Sequence, residues 1–261
     1  MTRASPVADD RRVTVRVVVS LLAGAAVAAA LVGQSGTATA GRAACSQGTG
    51  GYTYAGHQGT YRGHGVRATI AATRALQVEA GHVSGWVGVG GPGQGANGED
   101  AWIQVGLAAL EGSEPFLYAE VARGGSHPQF ILLENGIQVG DRRDLAVLEV
   151  SGKPGWWRVW VDGKPATKPT LLRGSSRRWA PIATAESWNG GKGACNRFAY
   201  RFERVSVAHG SGGSWKPFVS AHRFLDGGHE LRALATAQQS SARRLSTTTK
   251  APLPYAFEAS S

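Results

Sequence analysis

The chain has 261 residues, with 37 Gly (roughly twice the ordinary share), 8 Trp, 2 Cys and a net charge of +10. At 42% apolar it can bury a core, which excludes a globally disordered chain. So much glycine without a collagen-like period, beside abundant Ala, Val, Thr and Trp, signals many turns between short extended segments and argues against long helices or a coiled coil.

Arg3, Arg11, Arg12 and Arg16 precede an apolar run over 17–33, and Ala38-x-Ala40 follows it. A basic start, a hydrophobic middle and small residues at a cleavage point are the three parts of a secretory signal, so residues 1–40 read as a signal peptide and the protein as secreted. An uncleaved anchor is the alternative, but the run falls short of the ~20 residues that span a bilayer. Arg11-Arg12 also admits a twin-arginine signal, and Cys45 a lipoprotein site, although Arg42 stands where a Leu is wanted. Cleavage after Ala40 removes four Arg and two Asp and leaves +8. The remaining charges are dispersed in pairs such as Arg142-Arg143 and Arg177-Arg178, which describes a solvated basic surface and no nucleic-acid partner.

Residues 41–60 form a Gly-rich stretch, read as an extended arm in which His57 and His64 just beyond it are solvated. In an oxidising compartment Cys45 and Cys195 most simply form one disulfide, contributing on the order of 4–5 kcal/mol through chain entropy. Extended segments are predicted near 66–72, 83–89, 100–107, 116–121, 129–133, 145–150, 156–162, 181–188, 197–207, 217–224 and 229–235. That spacing predicts an all-β antiparallel sandwich or barrel over 61–235. Asp162-Gly163 supplies the positive-φ pair of a type I′ hairpin turn. From 236 to 261 the alternation ends and a disordered tail is expected.

Successive strand side chains point to opposite faces. Ala101, Ile103, Val105 and Leu107 therefore share a core face that leaves Trp102 and Gln104 opposite. By the same rule Trp86 opposes Val83, Val87 and Val89, and Tyr118 with Glu120 opposes Leu117, Ala119 and Val121. Trp156 and Trp160 oppose Trp157, Val159 and Val161, and Glu186 opposes Ala183 and Ala185. If these second faces line one concave sheet, the result is a Trp-floored cleft containing Gln104, Glu120 and Glu186.

The sequence has no G-x-S-x-G elbow, H-E-x-x-H, phosphate loop or EF-hand pattern, and its His are scattered singly, so no metal or cofactor is expected. Gly88-Val89-Gly90-Gly91-Pro92-Gly93 matches G-x-G-x-x-G in letters only, because Pro92 interrupts it and turn sequence follows. Carboxylate chemistry remains. A Glu on a desolvated aromatic floor has a raised pKa suited to acid/base work, and a neighbouring Gln amide can stabilise an oxyanion.

Ser84-Gly85-Trp86-Val87-Gly88-Val89, Trp102-Ile103-Gln104-Val105-Gly106, Tyr118-Ala119-Glu120-Val121 and Thr184-Ala185-Glu186-Ser187-Trp188 resemble, in order and approximate spacing, the glutamic peptidases, or eqolisins. The resemblance covers about residues 60–210. It implies an antiparallel β-sandwich of the jelly-roll type, two seven-stranded sheets with a concave substrate cleft, and hydrolysis of polypeptides without a cofactor. It also implies that Gln104 is the oxyanion and water-positioning residue, Glu186 the general base, Trp86 a wall of the cleft and Glu120 an auxiliary acid. Leu107-Ala108 stands where the family carries an Asp, and Ser187 where it has an aromatic residue. The candidate substrate-binding set is Trp86, Trp102, Tyr118, Glu120, Trp156 and Trp160, on a monomer. Two alternatives stay open: a non-catalytic sandwich that binds glycan or peptide on its Trp, and a glycosidase using Glu120 and Glu186.

Overall fold

The computed structural model describes residues 51–192, 194–234 and 255–261. In chain order the strands are β1 (Tyr52–Gly59), β2 (Gly65–Ala72), β3 (His82–Gly91), β4 (Ala101–Leu110), β5 (Phe116–Arg123), β6 (Gln129–Asn135), β7 (Arg143–Glu149) and β8 (Trp156–Val161). They continue as β9 (Lys164–Pro165), β10 (Thr170–Leu171), β11 (Pro181–Trp188), β12 (Ala199–Ala208), β13 (Trp215–Pro217), β14 (Ala221–Leu225), β15 (Glu230–Ala233) and β16 (Phe257–Ser260). No helix forms among the described residues. The signal segment 1–40, Cys45 and residues 235–254 lie outside them, so the pairing of Cys45 with Cys195 stays an expectation of the sequence.

The strands make two antiparallel sheets packed face to face, the sandwich expected from the sequence. Sheet A has seven strands in the order β14-β1-β11-β3-β4-β5-β6. Sheet B has nine, with the order β10-β8-β7-β2-β12-β16-β15 and two short strands beside that path, β13 on β12 and β9 on β8. The equal pair of seven-stranded sheets is thus corrected by two short additions to sheet B. Alternation supplies the core: Val83, Val87, Ile103, Val105 and Leu117 of sheet A meet Val66, Ile70, Val147, Trp157 and Phe202 of sheet B, all essentially inaccessible. Each such side chain stabilises the fold by ~1.5–3 kcal/mol relative to exposure. Asp162 and Gly163 turn β8 into β9 with φ of 49° and 75°, pairing Val161 with Lys164 as the hairpin signal requires.

Three boundaries differ from those expected. The arm 41–60 contains β1, which pairs on both sides, with β11 and β14, because Tyr52, Tyr54 and Ala55 bring their own alternation. The tail 236–261 contains β16, held between β12 and β15, with Phe257 buried and stacked on Phe202 at 4.6 Å. The single strand expected at 217–224 is two, β13 in sheet B and β14 in sheet A, because the chain crosses between the sheets there with Phe218 buried at the crossing.

The solvated histidines are also corrected. His57 points between the sheets onto Phe257, 4.8 Å between centroids, and burial with Arg223 nearby lowers its pKa to about 4. His64 Nδ1 meets the buried carboxylate of Glu149, whose other oxygen accepts from the backbone N–H of Gly155.

Candidate active site

Sheet A turns one face to the core and the other to a cleft of about 400 Å³. The central strand of that face is β3, whose His82, Ser84, Trp86 and Gly88 alternate toward the cleft and set four cross-strand rows. Gly88 is flanked by Gln104 on β4 and Ile182 on β11, and Glu120 on β5 extends the row beyond Gln104. Trp86 is flanked by Gly106 and Thr184, with Tyr118 beyond Gly106. Ser84 is flanked by Ala108 and Glu186, with Tyr54 beyond Glu186. His82 pairs with Leu110 and Trp188, with Tyr52 beyond Trp188.

Glycine keeps the floor of this cleft low. A Cβ on Gly106 would stand 2.6 Å from Cβ of Trp86, and one on Gly88 would stand 2.8 Å from Cβ of Gln104. Neither position accepts a larger side chain without moving a neighbour.

Each polar group on this face has a defined partner. The Glu186 carboxylate accepts from His82 Nε2 at Oε1 (2.8 Å) and from the Trp86 indole N–H at Oε2 (3.1 Å), and only 7% of the residue is exposed. His82 is enclosed by Tyr52 and Trp188, each at 5.7 Å. Gln104 donates its amide to the Tyr118 hydroxyl at 3.3 Å. Burial, with the charges of Glu186 and Glu120, holds that phenol well above its ordinary range. Glu120 accepts from Trp102 Nε1 at 2.8 Å. Burial raises its pKa to about 7 and the charge of Glu186 adds to this, against the opposing effects of the Trp102 bond and His82. No group of three or more His, Cys, Asp or Glu side chains that could hold a metal occurs among the described residues.

Gln104, Glu186, Trp86, Trp102, Tyr118 and Glu120 therefore line one cleft. Gln104 and Glu186 do not bond each other. They sit two strands apart and four residues out of step along β3, roughly 16 Å between Cα atoms at ordinary strand spacing. Trp156 and Trp160 lie elsewhere, on the outward face of β8 in sheet B, where Arg158 rests 5.9 Å from the Trp160 ring centroid. Alternation fixes a side chain's face within its strand, but two stacked sheets have two outward faces, and β8 belongs to the other one. Cys195 donates its backbone N–H to Glu79.

The sequence reading missed His82, Tyr52 and Tyr54. His82 was legible, because it shares the alternation of Ser84 and Trp86. Tyr52 and Tyr54 also alternate, but within a stretch whose glycine content masks the strand.

No protein-family model and no curated protein matches the chain in sequence. Among solved structures it is similar to a scytalido-glutamic peptidase bound to a transition state analog inhibitor. That match has 15% identity and a TM-score of 0.48, over 81% of this chain and 98% of that one. It is also similar to SCP-B, a member of the eqolisin family of peptidases in complex with the tripeptide Ala-Ile-His, with 15% identity, a TM-score of 0.45 and the same coverage. A prokaryotic β-1,3-1,4-glucanase (lichenase) from a mouse hindgut metagenome matches at 14% identity and a TM-score of 0.39, over 58% of this chain and 68% of that one.

Proposed function

We propose that the chain is an exported hydrolase of polypeptides that works by carboxyl–amide chemistry in the cleft of sheet A. The observation that supports this best is the placement of one amide, Gln104, and two glutamates, Glu120 and Glu186, in the lining of a single aromatic-walled cleft. The Gln104 N–H₂ is the donor for the oxygen of a scissile carbonyl as it gains charge. A cleft glutamate takes a proton from the attacking water and returns it to the departing amine. Glu186 is the glutamate to which the family resemblance points. The walls of Trp86, Trp102, Phe116 and Phe130 suit an extended chain with apolar side chains. Export rests on the three-part segment at residues 1–40.

The test is incubation of the full chain, expressed for export and purified, with a denatured protein across pH 2–8, reading new N-termini by mass spectrometry. Cleavage that falls on the order of 10²–10³-fold in Gln104→Ala is expected. No new termini at any pH, or undiminished cleavage in Gln104→Ala, overturns the reading. Release of reducing sugar from a glucan would favour the glycosidase alternative. The peptide reading is preferred because Gln104 adjoins Glu120 in register, and a two-carboxyl glycosidase has no use for that amide.

A further inference from the structure

On the side of the molecule away from the cleft, we propose that sheet B carries a separate binding surface for an acidic polysaccharide, a polymer of sugar rings that bear carboxylates. β8 turns Trp156, Arg158 and Trp160 outward, because Trp157 and Val159 between them are buried in the core. Trp160 continues across the sheet through Ala146 of β7 to Arg67 of β2, with no large side chain between them in that row. Arg158 continues in the adjacent row through Leu148, Gly65 and Ala208 to Trp215 of β13. Each side of the face thereby sets an arginine against a tryptophan. The Arg158 guanidinium lies 5.9 Å from the Trp160 ring centroid, and that of Arg67 lies 4.6 Å over Trp215.

The charges on this face are unbalanced in one direction. Along β8, β7, β2, β12 and β16 the outward carboxylates are Asp144, Glu203 and Glu258, and each meets an arginine. Arg204 bonds Asp144 at 2.6 Å, Arg142 pairs with Glu203, and Glu258 lies 3.6 Å from Arg201 and 3.1 Å from Arg232. Arg67 and Arg158 have no carboxylate partner among the described residues, and Nε of Arg158 is shielded from water without an acceptor. A guanidinium held against a ring with its fork unoccupied is complementary to a carboxylate, which takes two parallel N–H donors. Trp156, 37% exposed, and the half-buried Trp160 give flat apolar area beside that fork, on which the C–H face of a sugar ring can lie.

The side-by-side order of ring and charge selects the ligand. In a sugar acid the carboxylate is bonded to the same ring that stacks, which calls for a platform and a cation in contact, as Trp160 and Arg158 stand. In a nucleotide the sugar separates phosphate from base, and a nucleic-acid track draws on many cations. Strands β8, β7 and β2 supply only Arg67 and Arg158 without a carboxylate among the described residues. The net charge of +10 attracts any polyanion, so placement of these two arginines against the rings, and not charge alone, defines the surface. It binds its ligand whether or not the cleft of sheet A hydrolyses peptides.

The experiment measures binding of the purified full chain to polygalacturonate at physiological salt, by Trp fluorescence and by retention on the immobilised polymer. Methyl-esterified polygalacturonate, single-stranded DNA and vesicles of anionic phospholipid are the other arms. Wild type is expected to bind polygalacturonate about tenfold more tightly than any of these, since the ester loses the charge-assisted pair and the others lose the ring that carries its own carboxylate. Arg67→Gln and Arg158→Gln should each weaken binding about tenfold, and Arg158→Lys, which keeps the charge and loses the fork, should remain weaker than wild type. Trp156→Ala with Trp160→Ala should weaken it about tenfold and abolish the fluorescence change. Arg123→Gln removes the same charge from β5 of sheet A and should stay within about twofold of wild type. Equal weakening by Arg123→Gln and Arg67→Gln overturns the proposal, because net charge alone then accounts for the binding. Unchanged binding in the double Trp variant overturns it as well, and so does DNA or a vesicle that binds as tightly as polygalacturonate. Peptide cleavage by the same preparations reads the cleft separately: its absence overturns the hydrolase reading and leaves this surface standing.

Discussion

Trp86 donates its indole N–H to Oε2 of Glu186 across 3.1 Å, with both residues less than a tenth exposed. The bond joins β3 to β11 on the cleft face and fixes the orientation of a buried carboxylate. Replacing Trp86 with Phe keeps much of the ring and removes the donor. A hydrogen bond to a charged group contributes ~1.5–3 kcal/mol, so thermal unfolding by circular dichroism should fall by roughly 3–12 °C. An unchanged midpoint would show that the bond adds nothing to the fold.

Gly88 separates Gln104 from Ile182 in their row, and a Cβ there would lie 2.8 Å from both Cβ of Gln104 and the carbonyl oxygen of Ile103. The backbone oxygen cannot yield without spreading β3 from β4, so Gln104 must move. Gly88→Ala should lower kcat/KM at least tenfold, by about the 10²-fold that a ~1 Å displacement in a positioned site can cost, while keeping the far-UV spectrum of the wild-type sheets.

Trp156 and Trp160 project from β8 on the side of the sandwich away from the cleft. The double variant Trp156→Ala, Trp160→Ala should therefore leave KM for a cleaved peptide within about twofold of wild type. A rise of tenfold or more would return these rings to the substrate path.

Phe257 fills the space between Phe202 and His57 at the C-terminal end of the chain. Truncating such a buried ring costs ~3–5 kcal/mol, so Phe257→Ala should lower the unfolding midpoint by roughly 6–20 °C. A midpoint shift below 2 °C would mean that β16 is dispensable to sheet B.

Stability should depend on pH through two groups of opposite sign. The pKa of His57 is lowered in the folded chain to about 4, so the unfolded chain binds more protons between pH 6.5 and 4, and stability is lost as pH falls through that window. The pKa of Glu120 is raised from 4.5 to about 7, so its contribution is full below pH 4.5 and is lost as pH rises through 7. Because these windows overlap, the two contributions oppose each other between pH 4.5 and 6.5; urea unfolding from pH 4 to 8 should show His57→Gln losing stability more steeply than wild type as pH rises through that range, and Glu120→Gln losing it more steeply as pH falls. Parallel curves for both variants and wild type would remove both groups from the linkage.

Alternation made much of the sandwich legible in advance. The run from Ala101 to Leu107 or from Pro181 to Trp188 has a single arrangement that buries its aliphatic side chains, and the structure uses it. The two ends of the domain were not legible. Tyr52–Gly59 and Phe257–Ser260 are short segments that become strands only because β11, β12, β14 and β15 offer them partners. The same limit governed the site. Local sequence placed Gln104, Glu120 and Glu186 each on the face away from the core, but Glu186 reaches the cleft as a strand neighbour of Ser84, about a hundred residues earlier in the chain.

By itself the sequence determined which residues turn inward and which outward on each strand, because a pleated backbone permits no other order once aliphatic side chains must leave water. Only the tertiary structure decided which outward faces belong together. Register between distant strands is a property of pairing: it put Glu120 beside Gln104, set Glu186 four residues out of step, gave His82 to Glu186, and sent Trp156 and Trp160 to the opposite side of the molecule.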